Sequence, residues 1–279
     1  MKPEIVIFGN GWLGNKYKAY FGKRAVISFA DISDPAAVAK DLDAYKPACV
    51  INTAGKTGKP NIDWCETHKL ETLNSNVTGP LVLLRACLER DIFMTHLSSG
   101  CIFQGNNKGK GFAETDRPDP PSFYSWTKAV SDGLLDKFPV LIIRLRMPID
   151  SEPNPRNLIA KLVNYPNVID IENSVTVVSD LLKATDALMQ KKKTGIYHVT
   201  NPGPVRHSDI LELYKKIVDP SHAYALITYK QLLQKGLVKA GRSNCILNTD
   251  KLRKAGVRLP NAKKVLAALL REYRKKKNA

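Results

Sequence analysis

The sequence predicts an α/β fold built on a doubly wound parallel sheet, and three observations carry the prediction. Short apolar runs of strand length alternate with stretches of helical period, the connections between them are short, and a glycine-rich turn follows the first run directly. Alternating strands and helices make consecutive strands parallel, because each crossover returns the chain to the same end of the sheet. In such a sheet ligands lie at the carboxyl ends of the strands.

Taken in order, residues 4–8 form the first apolar run, and further strand-like runs fall at 25–29, 48–52, 92–97 and 140–144. Between them, 35–45 and 80–90 place apolar residues at helical spacing. After Arg146 the texture changes: Pro148, Pro153 and Pro155 punctuate a loop, and short helical stretches alternate with turns bearing proline or glycine. The expected organisation is a dinucleotide-binding domain over 1–150 and a smaller C-terminal substrate lobe over 151–279. A strand-like run at 196–199 returns to the main sheet, which interleaves the two.

The chain has 279 residues, 43% apolar and 25% charged, ordinary for a globular protein able to bury a large core. No window approaches the roughly 18 uninterrupted apolar residues of a membrane span. Met1-Lys2-Pro3-Glu4 opens on a strand with no signal-peptide cleavage pattern, so a cytoplasmic location is expected. Five cysteines at irregular spacing contain no CxxC pair, and five scattered histidines form no metal-ligand motif, so no metal and no disulfide framework are expected. A net charge of +17 is compatible with nucleic acid or with anionic small molecules. Much of the excess sits in Lys191-Lys192-Lys193 and Arg274-Lys275-Lys276-Lys277, which read as solvated helix ends, and no nucleic-acid partner is inferred.

Gly9-Asn10-Gly11-Trp12-Leu13-Gly14 occupies the first strand-to-helix turn, the context of a dinucleotide-binding fingerprint and hence of a Rossmann-type sheet. The first glycine permits the tight turn, the second lets a pyrophosphate approach the backbone, and the third lets helix and strand pack closely. Asp31-Ile32, after the second strand, is placed either to contact an adenine ring or to serve as a solvated turn. Thr53, Ala54 and Gly55 follow the third strand, where small residues let a cofactor lie against the sheet edge. No acidic residue stands at the end of the second strand to grip a ribose 2′-hydroxyl, and Lys23 and Arg24 are nearby, so NADPH is favoured with NADH left open.

Tyr124 and Lys128 are four residues apart at the start of a helical run over 123–138, so both side chains point from one face. A cation beside a phenol stabilises the phenolate, and the phenol can then protonate a carbonyl oxygen as hydride reaches carbon. Ser99, at the end of the fourth strand, can donate a second hydrogen bond to the same oxygen. Glycine turn, strand-end serine and Tyr/Lys pair, in this order, point to a carbonyl reductase.

At these residues the chain resembles the extended short-chain dehydrogenase/reductases, and within them the dTDP-4-dehydrorhamnose reductase branch. The closer resemblance of the two is to the bifunctional nucleotide-rhamnose synthases, which are 3,5-epimerase/4-reductases. The resemblance runs in order through NTAGKTGKPNIDWCE at 52–66, GCIF at 100–103, FYS at 123–125, RMPI at 146–149, NPRN at 154–157, TNPG at 200–203 and RSN at 242–244. It implies UDP-4-keto-6-deoxyglucose as substrate and UDP-L-rhamnose as product. It also implies roles for Cys101 and Lys161 as the proton-exchanging pair, and for Thr57, Asn61, Asn157, Arg242 and Asn244 as contacts to the sugar nucleotide. Without the resemblance, Cys101 reads as a small core residue, Lys161 as a solvated helix lysine, and the last five as loop caps and surface polar groups. A reductase lacking the epimerase, supplied by a separate enzyme, stays open, as do UDP against dTDP and a homodimeric state. A non-catalytic binding subunit is disfavoured by retention of Ser99, Tyr124 and Lys128.

Overall fold

The computed structural model describes residues 3–278, so Met1, Lys2 and Ala279 lie outside the described residues. In chain order the strands are β1 (Ile5–Phe8), β2 (Ala25–Ser28), β3 (Cys49–Asn52), β4 (Phe93–Ser99), β5 (Leu141–Leu145) and β6 (Pro148–Ile149). They continue as β7 (Asn167–Ile169), β8 (Asn173–Val177), β9 (Gly195–His198), β10 (Asn201–Val205) and β11 (Ala225–Ile227). Six of them form one sheet in the order β2-β1-β3-β4-β5-β9, with every neighbouring pair parallel. The chain fills one side of β1 with β2 and then crosses to the other with β3. The switch point therefore falls between β1 and β3, just beyond Phe8 and Asn52.

Strand alternation divides the core by face. Ile5, Ile7, Ile51, Leu97, Leu141 and Ile143 pack against Tyr17, Phe21, Leu181 and Leu188, from helices Trp12–Phe21 and Val178–Gln190. Val6, Phe8, Val50, Met94 and Ile142 pack on the opposite face, against Val38, Leu42, Leu83, Leu84 and Leu135. Those come from helices Pro35–Tyr45, Gly79–Leu88 and Phe123–Leu135. Each such aliphatic side chain contributes about 1.5–3 kcal/mol when fully buried. Covering both faces in this way is what makes the expected doubly wound sheet stable.

Element ends shift for local reasons. β2 stops at Ser28, and Phe29 is 82% exposed beyond this edge strand. β4 runs on to Ser99 because Ser98 and Ser99 pair with Arg144 and Leu145. The helix from Phe123 ends at Leu135 rather than at 138, since the residue before Pro139 is biased away from helical geometry. Ahead of Gly79–Leu88 lies a π-helical turn, Asn74–Thr78, that helical period alone does not reveal.

After β5 the chain enters a second cluster built on a sheet ordered β10-β8-β6, returns to supply β9, and leaves again through β10. Helices His207–Ile217 and Ala262–Lys277 cover that sheet with Ile210, Tyr214, Leu266 and Leu270, packed on Ile149, Val175 and Val205. The glycine-rich segment 105–111, which its composition leaves unexplained, is bound to a late loop. Gly105 N–H donates to Asn244 O at 2.6 Å, and Phe112 N–H to Ile246 O at 2.8 Å. Ile102, Phe103, Cys245 and Leu247 form the apolar centre of that junction.

Candidate active site

At the switch point the three fingerprint glycines behave differently. Gly9 has φ +107°, and a Cβ there would lie 2.5 Å from Ala54 N. A Cβ on Gly14 would lie 1.9 Å from Gly9 O, which is the close helix–strand approach. A Cβ on Gly11 would meet nothing within 4 Å. Gly11 also begins helix Trp12–Phe21 with no side-chain cap, so the first-turn N–H groups face open space, as an anion requires. The Trp12 and Leu13 side chains pack toward the core, and Asn10 Oδ1 accepts from Asn15 Nδ2 at 3.1 Å. Thr53 Oγ1 lies 3.0 Å from Phe8 O and 2.9 Å from Gly9 O, and so fixes the glycine turn.

Asp31 takes the turn reading and Ile32 packs into the core. Ile32 is buried against Gly79, where a Cβ would meet its Cγ1 at 2.6 Å, so its side chain is a core element. Asp31 closes a turn on itself, accepting from Ser33 N and Oγ at 2.9 and 2.7 Å. Those hydrogen bonds hold its carboxyl below the usual range, against the opposing pull of desolvation. Arg24 pairs with Glu4 at 2.8 Å at the amino ends of β1 and β2. That is a strand length, about 13 Å, from the ligand end, so Lys23 and Arg24 give no support for a 2′-phosphate.

At the carboxyl end of β4, Ser99, Tyr124 and Lys128 are all buried. Ser122 caps the helix that carries the last two, accepting from Ser125 N at 3.1 Å. A hypothetical Cβ on Gly55 would sit 3.6 Å from Lys128 Nζ, which brings the third-strand turn against the lysine of this helix. Ser99 Oγ accepts from Cys101 N at 3.1 Å, leaving its own hydrogen for an acceptor elsewhere. Lys128 Nζ donates to Leu97 O at 3.2 Å, and burial pushes it down to about 8 against the upward pull of Asp132 and Cys101. Burial, then Cys101, raise Tyr124 above the ordinary phenol value, and a hydrogen bond with Ser99 only partly offsets them. Burial therefore outweighs any depression of the phenol by a neighbouring cation, and Tyr124 is held as a neutral donor.

Cys101 and Lys161 share this neighbourhood. Cys101 acts electrostatically on Tyr124, Lys128, Arg146 and Lys161 alike. Lys161, in helix Leu158–Val163, is no solvated lysine: burial and then Arg156 push it down, while Cys101 pulls it up. Arg146 Nη1 donates to Cys101 Sγ at 2.9 Å.

The residues expected to meet the sugar nucleotide divide. Thr57 Oγ1 accepts from Arg156 Nη1 at 2.7 Å, and Asn61 Oδ1 accepts from Asp63 N at 2.8 Å. Arg242 holds Asp63 through two contacts, at 2.8 and 2.9 Å, and Asn244 Oδ1 accepts from Asn173 Nδ2 at 3.1 Å. These four stay partly accessible. Asn157 does not. It is fully buried, its Oδ1 caps Ile159 N, and its Nδ2 donates to Asp150 O and Glu152 O, so it is a loop-fixing residue.

Sequence reasoning missed two residues. Asn76, in the π-helical turn, accepts from Lys56 N at 2.8 Å and donates to Lys56 O and Thr127 Oγ1. It ties the loop after β3 to the Tyr/Lys helix, and a buried asparagine in an otherwise helical stretch is its only sequence signal. Arg146 lies in the quoted RMPI segment, but nothing local marks it as a partner of Cys101.

Among proteins of known kind, the RmlD substrate binding domain family matches residues 3–275. The bifunctional dTDP-4-dehydrorhamnose 3,5-epimerase/dTDP-4-dehydrorhamnose reductase of Arabidopsis thaliana is 38% identical over 98% of this chain and 94% of that protein. A trifunctional UDP-glucose 4,6-dehydratase/3,5-epimerase/reductase of the same plant is 39% identical over 90% of this chain, which spans 39% of that protein's length. The crystal structure of the L780 UDP-rhamnose synthase from Acanthamoeba polyphaga mimivirus superposes with TM-score 0.90 at 33% identity, covering 96% of this chain and 98% of that one. A Bacillus anthracis dTDP-4-dehydrorhamnose reductase, solved with NADP, shares the fold at TM-score 0.79 and 20% identity, covering 96% and 98%.

Proposed function

The chain belongs to the RmlD substrate binding domain family, and from that premise we propose that it is a nucleotide-sugar 4-keto reductase of the dTDP/UDP-4-dehydrorhamnose type that uses NADPH and also performs the 3,5-epimerisation. The reductase rests on one observation above the others. Ser99, Tyr124 and Lys128 are all buried at the carboxyl end of β4, with Lys128 beside Gly55, across the switch point from an uncapped helix end whose Gly11 leaves room for a phosphate.

The first-turn N–H groups of helix Trp12–Phe21 would hold the pyrophosphate, and the small residues Thr53, Ala54 and Gly55 would let the nicotinamide end approach Lys128. When bound, the nicotinamide supplies hydride. Tyr124, kept neutral by burial, donates its proton to the C4 oxygen as that oxygen gains charge. Lys128 then stabilises the phenolate that remains, and Ser99 donates the second hydrogen bond that fixes the carbonyl.

Epimerisation uses the same carbonyl, which acidifies the hydrogens on C3 and C5. Cys101 takes or returns a proton on one face of the ring and Lys161 does the complementary work on the other. The charge carried on the C4 oxygen meanwhile is held by Tyr124 and Ser99. A lysine whose ammonium is destabilised by burial and by Arg156 releases its proton readily. UDP-4-keto-6-deoxyglucose and NADPH, with no other enzyme, should yield UDP-L-rhamnose by NMR, with solvent deuterium at C3 and C5. Turnover only after a separate epimerase is added would reduce the proposal to the reductase alone.

A further inference from the structure

Arg146 is 3% exposed and carries a charge it cannot give up. Its Nη1 donates to Cys101 Sγ at 2.9 Å, and its Nη2 donates to Asn173 Oδ1 at 2.8 Å and to Ser243 O. Its Nε has no partner, and among the described residues no carboxylate pairs with it. A buried guanidinium surrounded by neutral acceptors is costly unless an anion lies against it. The ionisable groups that touch it are two thiols, Cys101 and Cys245. Cys245 is fully buried, its Sγ donates to Gly100 O at 3.1 Å, and burial pushes its thiol up, so it keeps its proton. Cys101 is partly accessible, and its sulfur accepts rather than donates in the contact with Arg146.

We propose that Arg146 is the fixed counter-charge of Cys101: it holds the sulfur in the thiolate form and aims it into the pocket shared with Tyr124 and Lys161. The sheet explains why the two meet. Ser99 pairs with Leu145 in the β4–β5 ladder and Gly100 N donates to Leu145 O at 2.8 Å, so the residues just beyond, Cys101 and Arg146, emerge side by side. Asn173 Oδ1 and Ser243 O then hold the guanidinium, and Thr176 Oγ1, accepting from Arg146 N at 3.0 Å, fixes the backbone that carries it. Its role in turnover rests on the epimerase reading and balances as follows. The thiolate takes a proton from the ring carbon, the C–H pair becomes the enolate stabilised at the C4 oxygen, and Lys161 returns a proton on the opposite face. Sulfur passes from anion to thiol and lysine from ammonium to amine, so the pocket's net charge is unchanged and Arg146 sets the energy of the sulfur's charged state.

The test reads the sulfur without substrate. Iodoacetamide labelling of Cys101, followed by peptide mass spectrometry at neutral pH, should slow by about tenfold or more in Arg146→Gln, the scale of one lost charge-assisted hydrogen bond. Arg146→Lys, which keeps the charge, should recover part of that rate. Deuterium exchange at C3 and C5 should fall more than reduction of an already epimerised 4-keto sugar. Labelling at the native rate in a folded Arg146→Gln protein overturns the proposal. Should that variant fail to fold, the thiolate absorbance difference between native protein and Cys101→Ser decides: a difference at neutral pH supports the proposal, and none overturns it. If the native protein exchanges no deuterium while the labelling result holds, the epimerase reading fails and the Arg146–Cys101 pair stands.

Discussion

Arg242 closes a two-pronged ion pair on Asp63, with Nη1 2.8 Å from Oδ1 and Nη2 2.9 Å from Oδ2. The guanidinium fork, a shape suited to a diphosphate, is therefore already engaged by the first carboxylate of helix Asp63–Thr67. Desolvation pushes Asp63 up, but Arg242 and the Ala240 N–H outweigh it and hold the carboxyl below its usual range. The pair's contribution is thus complete above the unfolded carboxylate value of 3.8 and is lost as pH falls through the depressed folded value. A diphosphate received by Arg242 would compete with this contact, so Asp63→Asn should bind UDP about fivefold more tightly, the scale of a partly exposed ion pair. Calorimetric titration checks it. Weaker binding would mean that Asp63 presents Arg242 to the ligand rather than withholding it.

The fingerprint glycines should separate stability from cofactor binding. Gly14→Ala drives a Cβ to 1.9 Å from Gly9 O and should lower the melting temperature by about 5 °C or more. Gly11 has φ −92°, open to any residue, and free space at its Cβ. Gly11→Ala should melt within about 2 °C of the native protein and yet bind NADPH about tenfold or more weakly, because the methyl occupies the pyrophosphate's approach. Unchanged NADPH affinity in Gly11→Ala would place the phosphates elsewhere.

These glycines were readable in sequence because their requirement is local: a tight turn between one strand and the next helix. Tyr124 and Lys128 were readable for the same reason, being one helical turn apart, and Ser99 because it ends an apolar run. Arg146 against Cys101, Asn76 against Thr127 and Arg242 against Asp63 were not readable. They join positions 45, 51 and 179 residues apart, and only sheet register and loop closure bring them together. Asn157 shows the converse. Its place in a family segment suggested a ligand contact, while its hydrogen bonds make it a helix cap, and no spacing in the sequence distinguishes the two. Lys161 was ambiguous until burial decided against a solvated role.

Lys128 gives a stability signal with a defined sign. Burial lowers it from 10.5 to about 8, so between these values the unfolded chain holds a proton that the folded chain does not. Stability therefore rises with pH through that window, by about 3 kcal/mol for this group alone. The difference in unfolding free energy between the native protein and Lys128→Met should show this rise. A flat difference across the window would mean that the ammonium is not desolvated as the structure shows.

Asp132 lies one helical turn beyond Lys128 and forms a buried pair with Arg144 at 2.6 Å. It is also the group that most opposes the depression of Lys128. Asp132→Asn should cost about 3–5 kcal/mol in denaturant unfolding, because it leaves a buried guanidinium without its anion. In the protein that remains folded, Lys128 should lose its proton at a lower pH, which would move the alkaline limb of kcat/KM downward. A stability loss with an unmoved limb would separate Asp132 from Lys128.

Tyr124→Phe tests whether one carbonyl serves two reactions. Reduction needs a proton delivered to the C4 oxygen, and the buried neutral phenol is its proposed donor. Removing it should lower kcat for reduction by about 10²- to 10⁴-fold, the range of a lost general acid. Exchange at C3 and C5 needs the same oxygen only to bear charge, and Ser99 remains as a donor, with its Oγ fixed by Cys101 N. Exchange should therefore fall much less than reduction when both are followed by NMR in deuterated solvent. Equal losses would make Tyr124 a common requirement for holding the ring, and reduction kept within about tenfold would remove it from the acid's role.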